Sequence, residues 1–294
     1  MVRLEYTIPE VRLGKEIANF LKLDLHFSTL SRKKLRDTPN AILLDGLPVP
    51  SYTVPSAGQT LTILLPDDPP SPMEAVQGPL ELLYEDDHLL VLNKAGGITV
   101  HPGPDHHGDT LGNFLTYYYR SKGEDHLFRP VNRLDKGTSG LMCVAKHSYV
   151  AQMLSDALHT ESFHRSYLAI CEGTPAPCEG TISAPIGRLD GSVIARTVRP
   201  DGKESQTRYR VVTSYSSCSL IHVTPETGRT HQIRVHMAYI GHPLLGDFLY
   251  GTENHQLIDR PALHSAYLRF QHPITGKELE FEAPLPDDMK NLLC

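Results

Sequence analysis

Residues 130–146 read PVNRLDKGTSGLMCVAK and set one carboxylate, that of Asp135, among basic residues and just before an apolar run. The run at 141–145 has the length and composition of a buried strand. We therefore expect the carboxylate to lie where the chain enters the core, at the mouth of a pocket. The alternative is a plain turn, in which Asp135 bonds its own backbone and two glycines supply unusual dihedral angles.

A carboxylate acts as a nucleophile only if it stays ionised while being partly stripped of water. An arginine beside it meets both needs by pairing with it. Arg133 lies two residues before Asp135, and Arg234 lies in a predicted helix close to His231. Composition and spacing do not decide whether these residues meet.

Two other chemistries fit the residue types less well. A serine hydrolase would need a G-x-S-x-G turn, but Ser139 lies between a threonine and a glycine. A metal site would use the segment HPGPDHHGD at 101–109. A loop rich in proline and glycine lacks the i, i+4 spacing that orients two imidazoles, so we expect its histidines to serve as turn and hydrogen-bonding residues. We predict no metal site.

The elements that must position Asp135 follow from the pattern of apolar residues. Strands are predicted on both sides of the acidic turn in 81–94, over 165–173, and in a hairpin over 207–225. Helices are predicted over 147–161, capped by Ser148, and from a Thr230 cap to Gly241. Strands joined by hairpins, with helices laid over them, indicate an α+β fold: a mainly antiparallel mixed sheet with helices and loops around an active-site cleft.

The stretch PDDPPSP at 66–72 is the clearest domain boundary, because its prolines bar helix and central strand and its acids favour water. We predict a small N-terminal α/β module at 1–66, a linker at 67–79 and a larger domain at 80–294. Within the module, a helix over 13–23, the short basic helix SRKKLR and three apolar segments divided by Gly and Pro form a compact unit.

Composition places the chain among ordinary globular proteins, with 40% hydrophobic and 21% charged residues in a length of 294. The N-terminal MVRLEYTIPE has no apolar core for a signal peptide, and no stretch approaches a membrane span. The five cysteines form no CxxC pair, which indicates reduced thiols. We expect a cytoplasmic monomer without a membrane partner.

The net charge of −6, taken alone, argues against a nucleic-acid partner. The charges are unevenly distributed, however. Residues 22–36 contain five basic residues and one acidic residue, and residues 188–234 contain eight basic and four acidic residues. Local basic faces on an acidic protein remain compatible with RNA.

Three segments, NRLDKGTSGLMCVAK, FHRSYLAICEG and GRTHQIRVHMAYIGHPLLGDFLYG, occur in this order and resemble the motifs of RluA-type RNA pseudouridine synthases. NKAGGITVHPG resembles the segment that opens the catalytic domain in that family. The resemblance covers residues 80–284. One departure is Asn132, where the family usually has His before Arg-Leu-Asp. Since an asparagine cannot titrate, we expect this side chain to orient the loop rather than to move protons.

The resemblance implies a role for each matching residue. Asp135 would be the catalytic carboxylate that starts cleavage of the uridine glycosidic bond, after which the uracil rotates and reattaches through C5. Tyr167 would stack on the uracil, and Arg234 would hold Asp135 ionised. Arg133 would help to fill the gap left by the extruded nucleotide.

No cofactor is implied, because the isomerisation is redox-neutral. The implied partner is structured RNA, either ribosomal or transfer RNA. The alternative function is a non-catalytic RNA-binding or ribosome-assembly factor on the same fold.

The N-terminal module resembles the small ribosomal-protein-type RNA-binding domain that is often fused to RNA-modifying enzymes. In that domain a pair of helices carries a basic face. The resemblance implies that phosphates are contacted by Arg32, Lys33, Lys34 and Arg36. The basic segment 188–210 would then follow the RNA backbone.

Overall fold

The computed structural model describes residues 2–10, 14–103, 106–158, 160–252 and 257–293. A four-stranded sheet lies in the N-terminal module. The four strands are β1 (Val2–Thr7), β2 (Ile42–Leu44), β3 (Leu47–Pro48) and β4 (Thr60–Leu65). They lie side by side in the order β1-β4-β2-β3, and every pairing is antiparallel.

Two helices cover this sheet, α1 (Ile17–Leu23) and α2 (Thr29–Asp37). The buried residues of α1 are Ile17, Phe20 and Leu21, as their spacing predicts. The predicted first residue of this helix, Leu13, lies outside the described residues, and the helix begins at Ile17. Helix α2 is capped by Ser28, whose hydroxyl accepts a hydrogen bond from the backbone N–H of Ser31. Strand β1, which we did not predict, pairs along its whole length with β4.

The module packs directly against the larger domain. The rings of Phe27 and Tyr149 stack with their centroids 4.0 Å apart, and the Tyr149 hydroxyl donates to the Leu25 carbonyl at 2.8 Å. Tyr149 is buried in the same hydrophobic cluster as the core of the module. The two parts of the chain therefore share apolar contacts and not only a covalent connection.

The predicted linker at 67–79 has no regular secondary structure, as its prolines require. The expectation that its acids are solvated is wrong for Asp68. The Asp68 carboxylate lies 2.7 Å from the guanidinium of Arg129 and 3.6 Å from the ammonium of Lys34. Farther along, Ser71 is buried and its carbonyl accepts a hydrogen bond from Arg120. Ion pairs and buried backbone thus hold this segment against the larger domain.

The larger domain is built on a ten-stranded sheet. A separate two-stranded sheet is formed by β11 and β12. In chain order, the strands of both sheets are β5 (Leu82–Glu85), β6 (Leu89–Lys94), β7 (Arg129–Pro130), β8 (Ser139–Ala145), β9 (Phe163–Glu172), β10 (Glu179–Ser183), β11 (Ile186–Arg188), β12 (Arg196–Val198), β13 (Gln206–Ser214), β14 (Cys218–Pro225), β15 (Leu263–Gln271) and β16 (Glu278–Glu282). The main order is β10-β13-β14-β9-β15-β8-β6-β5, with β16 beside β15 and β7 beside β8. Strands β8 and β15 run parallel, and the other pairings are antiparallel.

The helices of this domain are α3 (Leu111–Ser121), α4 (Ser148–Ala157), α5 (Gln232–Tyr239) and α6 (Asp287–Lys290). A 3-10 turn follows at Asn291–Leu293. The predicted α+β class with a mainly antiparallel mixed sheet is confirmed. Strand β8 is buried at every residue, as the apolar run predicts.

Two predicted helix caps are wrong. Helix α4 begins at Ser148 itself, so its N-cap is His147, which makes no side-chain cap bond. The N-cap of α5 is His231 and not Thr230. His231 has a left-handed backbone conformation with φ 57°, so the chain turns there and the helix starts one residue later than a Thr230 cap requires. Gly241 ends this helix as predicted, at φ 83°.

The longest helix in the described part of the chain has 11 residues, and none of these helices is a candidate for spanning a bilayer. The cysteines with free thiols are Cys143, Cys171, Cys178 and Cys218. Cys294 lies outside the described residues. The cytoplasmic location and the monomeric state stay predictions.

Candidate active site

Asp135 lies in the loop between β7 and β8, which we call the Asp135 loop (131–138). Its backbone carbonyl accepts a hydrogen bond from the N–H of Thr138 at 3.0 Å, so the loop does contain a turn. The Asp135 side chain is partly exposed and faces a pocket. The turn and the pocket-facing carboxylate, weighed above as alternatives, are therefore both present.

Asn132 anchors the start of this loop. Its buried side chain donates from Nδ2 to the carbonyl of Leu141 at 3.1 Å and accepts from the N–H of Cys143 at 2.8 Å. Both partners belong to β8. The side chain thus holds the loop on the central strand, which is the orienting role that we expected of a residue that cannot titrate.

Two buried basic side chains hold the other side of the Asp135 loop. Nζ of Lys94 donates to the carbonyls of Ala95, Ile98 and Lys136, at 2.9, 2.9 and 3.2 Å. Nη1 of Arg260 donates to the carbonyl of Gly137 at 3.0 Å. Because the carbonyls of Lys136 and Gly137 directly follow Asp135 in sequence, these side chains fix the backbone that carries its carboxylate.

Close backbone packing adds a further constraint where β8 begins. Gly140 has a φ of 111°, and a Cβ at this position would collide with the backbone of Ser265 on β15. Only glycine combines that conformation with the missing side chain. The parallel pairing of β8 with β15 therefore depends on this residue.

Arg234, on α5, is the cation nearest to Asp135. Its Nη1 lies 3.7 Å from Oδ2 of Asp135, and its Nε and Nη2 each lie 2.7 Å from the carboxylate of Asp247. Arg234 and Asp247 are both buried. Burial opposes the charged form, but the hydrogen bonds and charge of Asp247, together with Asp135 and Tyr250, outweigh it and raise the pKa of Arg234.

Tyr167, on β9, forms part of the wall of the same pocket. The residue is buried, and burial raises the pKa of its hydroxyl. The neutral phenol is therefore the form present near neutral pH. A buried ring at the wall of an open pocket can offer its face to a flat ligand.

The pocket has a volume of about 590 Å³. Its described lining contains one carboxylate, that of Asp135, and five cationic side chains: Arg133, Lys136, Arg165, Arg229 and Arg234. Such a pocket suits a polyanion that carries a flat ring, with one carboxylate available for chemistry.

Residues 88–239 match the model of a family described as RNA pseudouridylate synthase. The chain belongs to this family. It is 43% identical to the uncharacterized RNA pseudouridine synthase YjbO of Bacillus subtilis, over 80% of this chain and 83% of that one. It is 38% identical to the ribosomal large subunit pseudouridine synthase D of Vibrio cholerae, over 98% of this chain and 93% of that one.

A solved structure whose title names the same enzyme family is also similar to this chain. The human RNA pseudouridylate synthase domain containing 1 superposes with a TM-score of 0.57 at 29% identity, covering 70% of this chain and 83% of that one. The predicted pseudouridine synthase family and enzyme class are confirmed. The N-terminal module lies outside the matched residues 88–239, so its ribosomal-protein-type resemblance stays a prediction.

The pocket of this synthase brings together four residues that the sequence singled out: Asp135, Arg133, Tyr167 and Arg234. Arg234 lies 3.7 Å from Asp135, but its main partner is Asp247, at 2.7 Å. Arg133 is exposed at the pocket and not paired with Asp135 in the described contacts. The roles of these residues in catalysis stay predictions.

The four basic residues proposed for phosphate contact lie on α2 and not at the pocket. Two of them have partners outside α2. Arg32 donates to the carbonyl of Phe27 at 3.2 Å, and Lys34 lies 3.6 Å from Asp68. Lys33 and Arg36 are exposed, with Arg36 3.5 Å from Asp37. The exposed pair is better placed than Arg32 to meet RNA.

The basic segment 188–210 is similarly divided. Arg199 binds the carboxylates of Asp190 and Asp201 at 2.7 and 2.5 Å. Arg208 lies 2.6 Å from Glu226. These pairs stabilise the surface and reduce the charge that the segment can present to a backbone.

The histidine-rich segment is used for packing and hydrogen bonds where it is described. Nδ1 of His106 lies 2.7 Å from Asp109, and its Nε2 lies 3.2 Å from Nζ of Lys136. The His101 ring packs on Phe128. Residues 104–105 lie outside the described part of the chain, and within that part no cluster of three or more candidate metal ligands occurs.

Sequence reasoning missed the residues that support the site: Lys94, Asp247, Tyr250 and Arg260. For Lys94 there was a signal, because this lysine directly follows the apolar run LLVLN, and a lysine that is buried at such a position must be paired. The pairing of Asp247 with Arg234 spans 13 positions through a loop, and no periodic pattern reports such a contact.

Proposed function

We propose that this protein isomerises uridine to pseudouridine in RNA, with Asp135 as the catalytic carboxylate. The observation that carries the proposal is the position of Asp135, the one carboxylate among the described lining residues of a pocket with five cationic side chains. The cations suit the phosphates that flank a nucleotide. The carboxylate can then reach the sugar of the nucleotide that they hold.

The reaction breaks the bond between C1′ of the ribose and N1 of the uracil, and forms a bond between C1′ and C5. C5 loses one proton and N1 gains one, so the overall change is redox-neutral. Asp135 starts the cleavage, either by attacking C1′ or by removing a proton from the sugar. Tyr167 stacks on the uracil while the base turns, and Arg133 occupies the space that the nucleotide leaves.

The target nucleotide must leave its stack to reach Asp135, at a cost of a few kcal/mol in a duplex. The cost is smallest in loops and distorted stems, where bases are already unstacked. A structured RNA with an accessible loop uridine is therefore the substrate class.

We infer that the RNA is that of the large ribosomal subunit. Support comes from the relative of Vibrio cholerae, whose name specifies this subunit and which is similar to this chain over nearly its full length. Transfer RNA is the competing target, since the pocket lining reads phosphates and a uracil, which both RNAs contain.

The test uses RNA from a strain that lacks this protein. Purified protein is incubated separately with large-subunit ribosomal RNA and with transfer RNA, and new pseudouridines are mapped at single-nucleotide resolution. We expect new sites in ribosomal RNA, and at least about a thousandfold loss of rate for Asp135→Asn, because an amide is a poor nucleophile and a poor base. Asp156→Asn, which changes an exposed aspartate on α4, is the matched control.

Each part of the proposal has an opposing result. New sites confined to transfer RNA would contradict the ribosomal target. Asp135→Asn at the wild-type rate would remove Asp135 from its role. Tight RNA binding by the wild type without any new pseudouridine would favour the non-catalytic RNA-binding factor.

A further inference from the structure

His231 lies between Asp135 and a tyrosine and has an unusual backbone. Its φ of 57° and ψ of 19° place it in the left-handed region, which costs a residue with a Cβ roughly 1–2 kcal/mol. Nε2 of its ring lies 3.9 Å from Oδ1 of Asp135, and Nδ1 lies 2.7 Å from the hydroxyl oxygen of Tyr250. Strained residues cluster where a side chain is aimed for function.

The hydrogen bonds of Tyr250 determine where the His231 ring carries its proton. The Tyr250 hydroxyl oxygen accepts the backbone N–H of Arg196 at 2.9 Å. We assign the single proton of the hydroxyl to the hydrogen bond with Nδ1 of His231, because the oxygen already receives the Arg196 proton and the Asp135 carboxylate lies on the Nε2 side of the ring. A neutral imidazole whose Nδ1 accepts must carry its proton on Nε2, the nitrogen on the side of Asp135.

The environment of His231 favours this neutral form. Burial is the largest influence and lowers the pKa of His231. Asp135 and Asp247 raise it, and Arg234 and Arg196 lower it further. The neighbouring Tyr250, from the loop after α5, also faces the ring and is itself held neutral because burial raises its pKa. His231 is therefore a neutral N–H donor near pH 7.

The Nε2 proton has no close acceptor in Asp135. At 3.9 Å the separation exceeds that of a hydrogen bond. The pocket is open at this point, with His231, Asp135 and Tyr167 all in its lining. A ligand atom that enters between them can accept the proton.

We propose that His231 is a catalytic residue that donates a hydrogen bond from Nε2 to a carbonyl oxygen of the uracil while the bond between C1′ and N1 breaks. This inference rests on the proposed function. When that bond breaks, its electron pair moves into the uracil, and the negative charge spreads over N1 and the two carbonyl oxygens. A neutral donor stabilises this charge without transferring its proton. Because Nε2 already bears a proton, His231 does not serve there as the base that removes the C5 proton.

Two substitutions at this position separate the role of each ring nitrogen. Glutamine places an amide N–H near the position of Nε2, and asparagine places its amide near the position of Nδ1. We expect His231→Asn to lower the single-turnover rate at saturating enzyme by roughly a hundredfold, and His231→Gln to stay within about tenfold of wild type. RNA affinity should change little in either variant. His164→Gln, at an exposed histidine on β9 outside the pocket lining, is the matched control.

A second measurement distinguishes charge stabilisation from a structural role. An RNA that carries 5-fluorouridine at the target position has a better leaving base, because fluorine withdraws electrons from the ring. Because C5 of this base bears fluorine and has no proton to lose, the measured step for both RNAs is cleavage of the bond between C1′ and N1. Release of that base should depend less on a hydrogen-bond donor, so the defect of His231→Asn should shrink with this RNA. A purely structural defect would slow both RNAs equally.

The inference fails if His231→Asn is as active as wild type, or if the defect of that variant is equal for the two RNAs. It also fails if asparagine rescues the rate and glutamine does not, since the contact with Tyr250 alone would then matter. Failure of the proposed function would give a different result, because the wild-type protein would then form no pseudouridine.

Discussion

Arg234 lies between two carboxylates, with two of its nitrogens 2.7 Å from Asp247 and the third 3.7 Å from Asp135. Asp247 is fully buried and also accepts the backbone N–H groups of Leu249 and Tyr250. The carboxylate of Asp247 is thus fixed by its own loop, and it fixes the plane of the guanidinium. The position of the charge beside Asp135 is set by a residue that does not reach the pocket.

Arg234→Lys tests this geometry. An ammonium keeps the charge but cannot bind Asp247 through two parallel bonds and still reach Asp135. We expect the single-turnover rate to fall by roughly a hundredfold, since small misplacements in an active site have effects of this size. RNA affinity should change little. The control is Arg269→Lys, on β15 outside the pocket lining. A defect that disappears when more RNA is added would mean that Arg234 only binds phosphate.

Asp247→Ala tests the support from the other side. The substitution leaves a buried guanidinium without its main partner, and such a change costs about 3–5 kcal/mol. We expect the free energy of unfolding, measured by urea denaturation, to drop by that amount. Asp287→Ala, at an aspartate that is 90% exposed, should have almost no effect. Equal stability of the two variants would show that water replaces the carboxylate at Arg234.

The sequence predicted those parts of the fold that have a periodic or local signal. The apolar run in β8, the hairpin of β13 and β14, and the glycine that ends α5 are all found where the pattern placed them. The start of α5 was misplaced because His231 has a positive φ, which residue type alone rarely reveals. A signal for Thr230 as a cap was present, but the turn at the next residue overrode it.

The sequence predicted the candidate residues of the site but not the tertiary contacts that support them. Asp135 and Arg234 belong to quoted motifs, and the structure brings them within 3.7 Å. Asp247 and Lys94 also lie in quoted segments, but no periodic pattern indicates that Asp247 pairs with Arg234 or that three carbonyls surround the ammonium of Lys94. The linker was misjudged for the same reason, since the partner of Asp68 is Arg129, 61 positions away by residue number.

The basic helix α2 is tested by changing Lys33 and Arg36, two of its exposed cations. If they bind RNA phosphates, Lys33→Gln with Arg36→Gln should weaken binding. The slope of log affinity against log salt should become shallower by about 0.7–0.9 for each phosphate that is no longer neutralised. The matched control, Arg269→Gln with Lys290→Gln, removes one arginine and one lysine elsewhere. An unchanged slope for the Lys33 and Arg36 double variant would mean that these side chains are only solvated.

Lys94 gives a prediction that depends on pH. The residue is 1% exposed, and burial, with a smaller effect of Arg260, lowers its pKa to about 7, although Asp135 acts in the opposite direction. In the unfolded chain the pKa of a lysine is about 10.4. Between these two values the unfolded state binds more protons than the folded state, so the free energy of unfolding rises with pH, by at most about 1.4 kcal/mol per unit. Below pH 7 both states hold the proton and this contribution to the slope disappears.

The slope should be present in the wild type and absent in Lys94→Met. Urea unfolding at pH 7, 8, 9 and 10 measures it, with Lys290→Met as the control at an exposed lysine. Equal slopes in the wild type and Lys94→Met would mean that the three carbonyls of Ala95, Ile98 and Lys136 hold the ammonium charged across this range. Deprotonation of Lys94 also has a consequence for catalysis. A neutral amine has only two N–H groups for three carbonyls, so above pH 7 one carbonyl no longer receives a hydrogen bond. Because the Lys136 carbonyl directly follows Asp135 and its bond of 3.2 Å is the longest of the three, we expect the turnover rate to fall as the pH rises from 7 to 9.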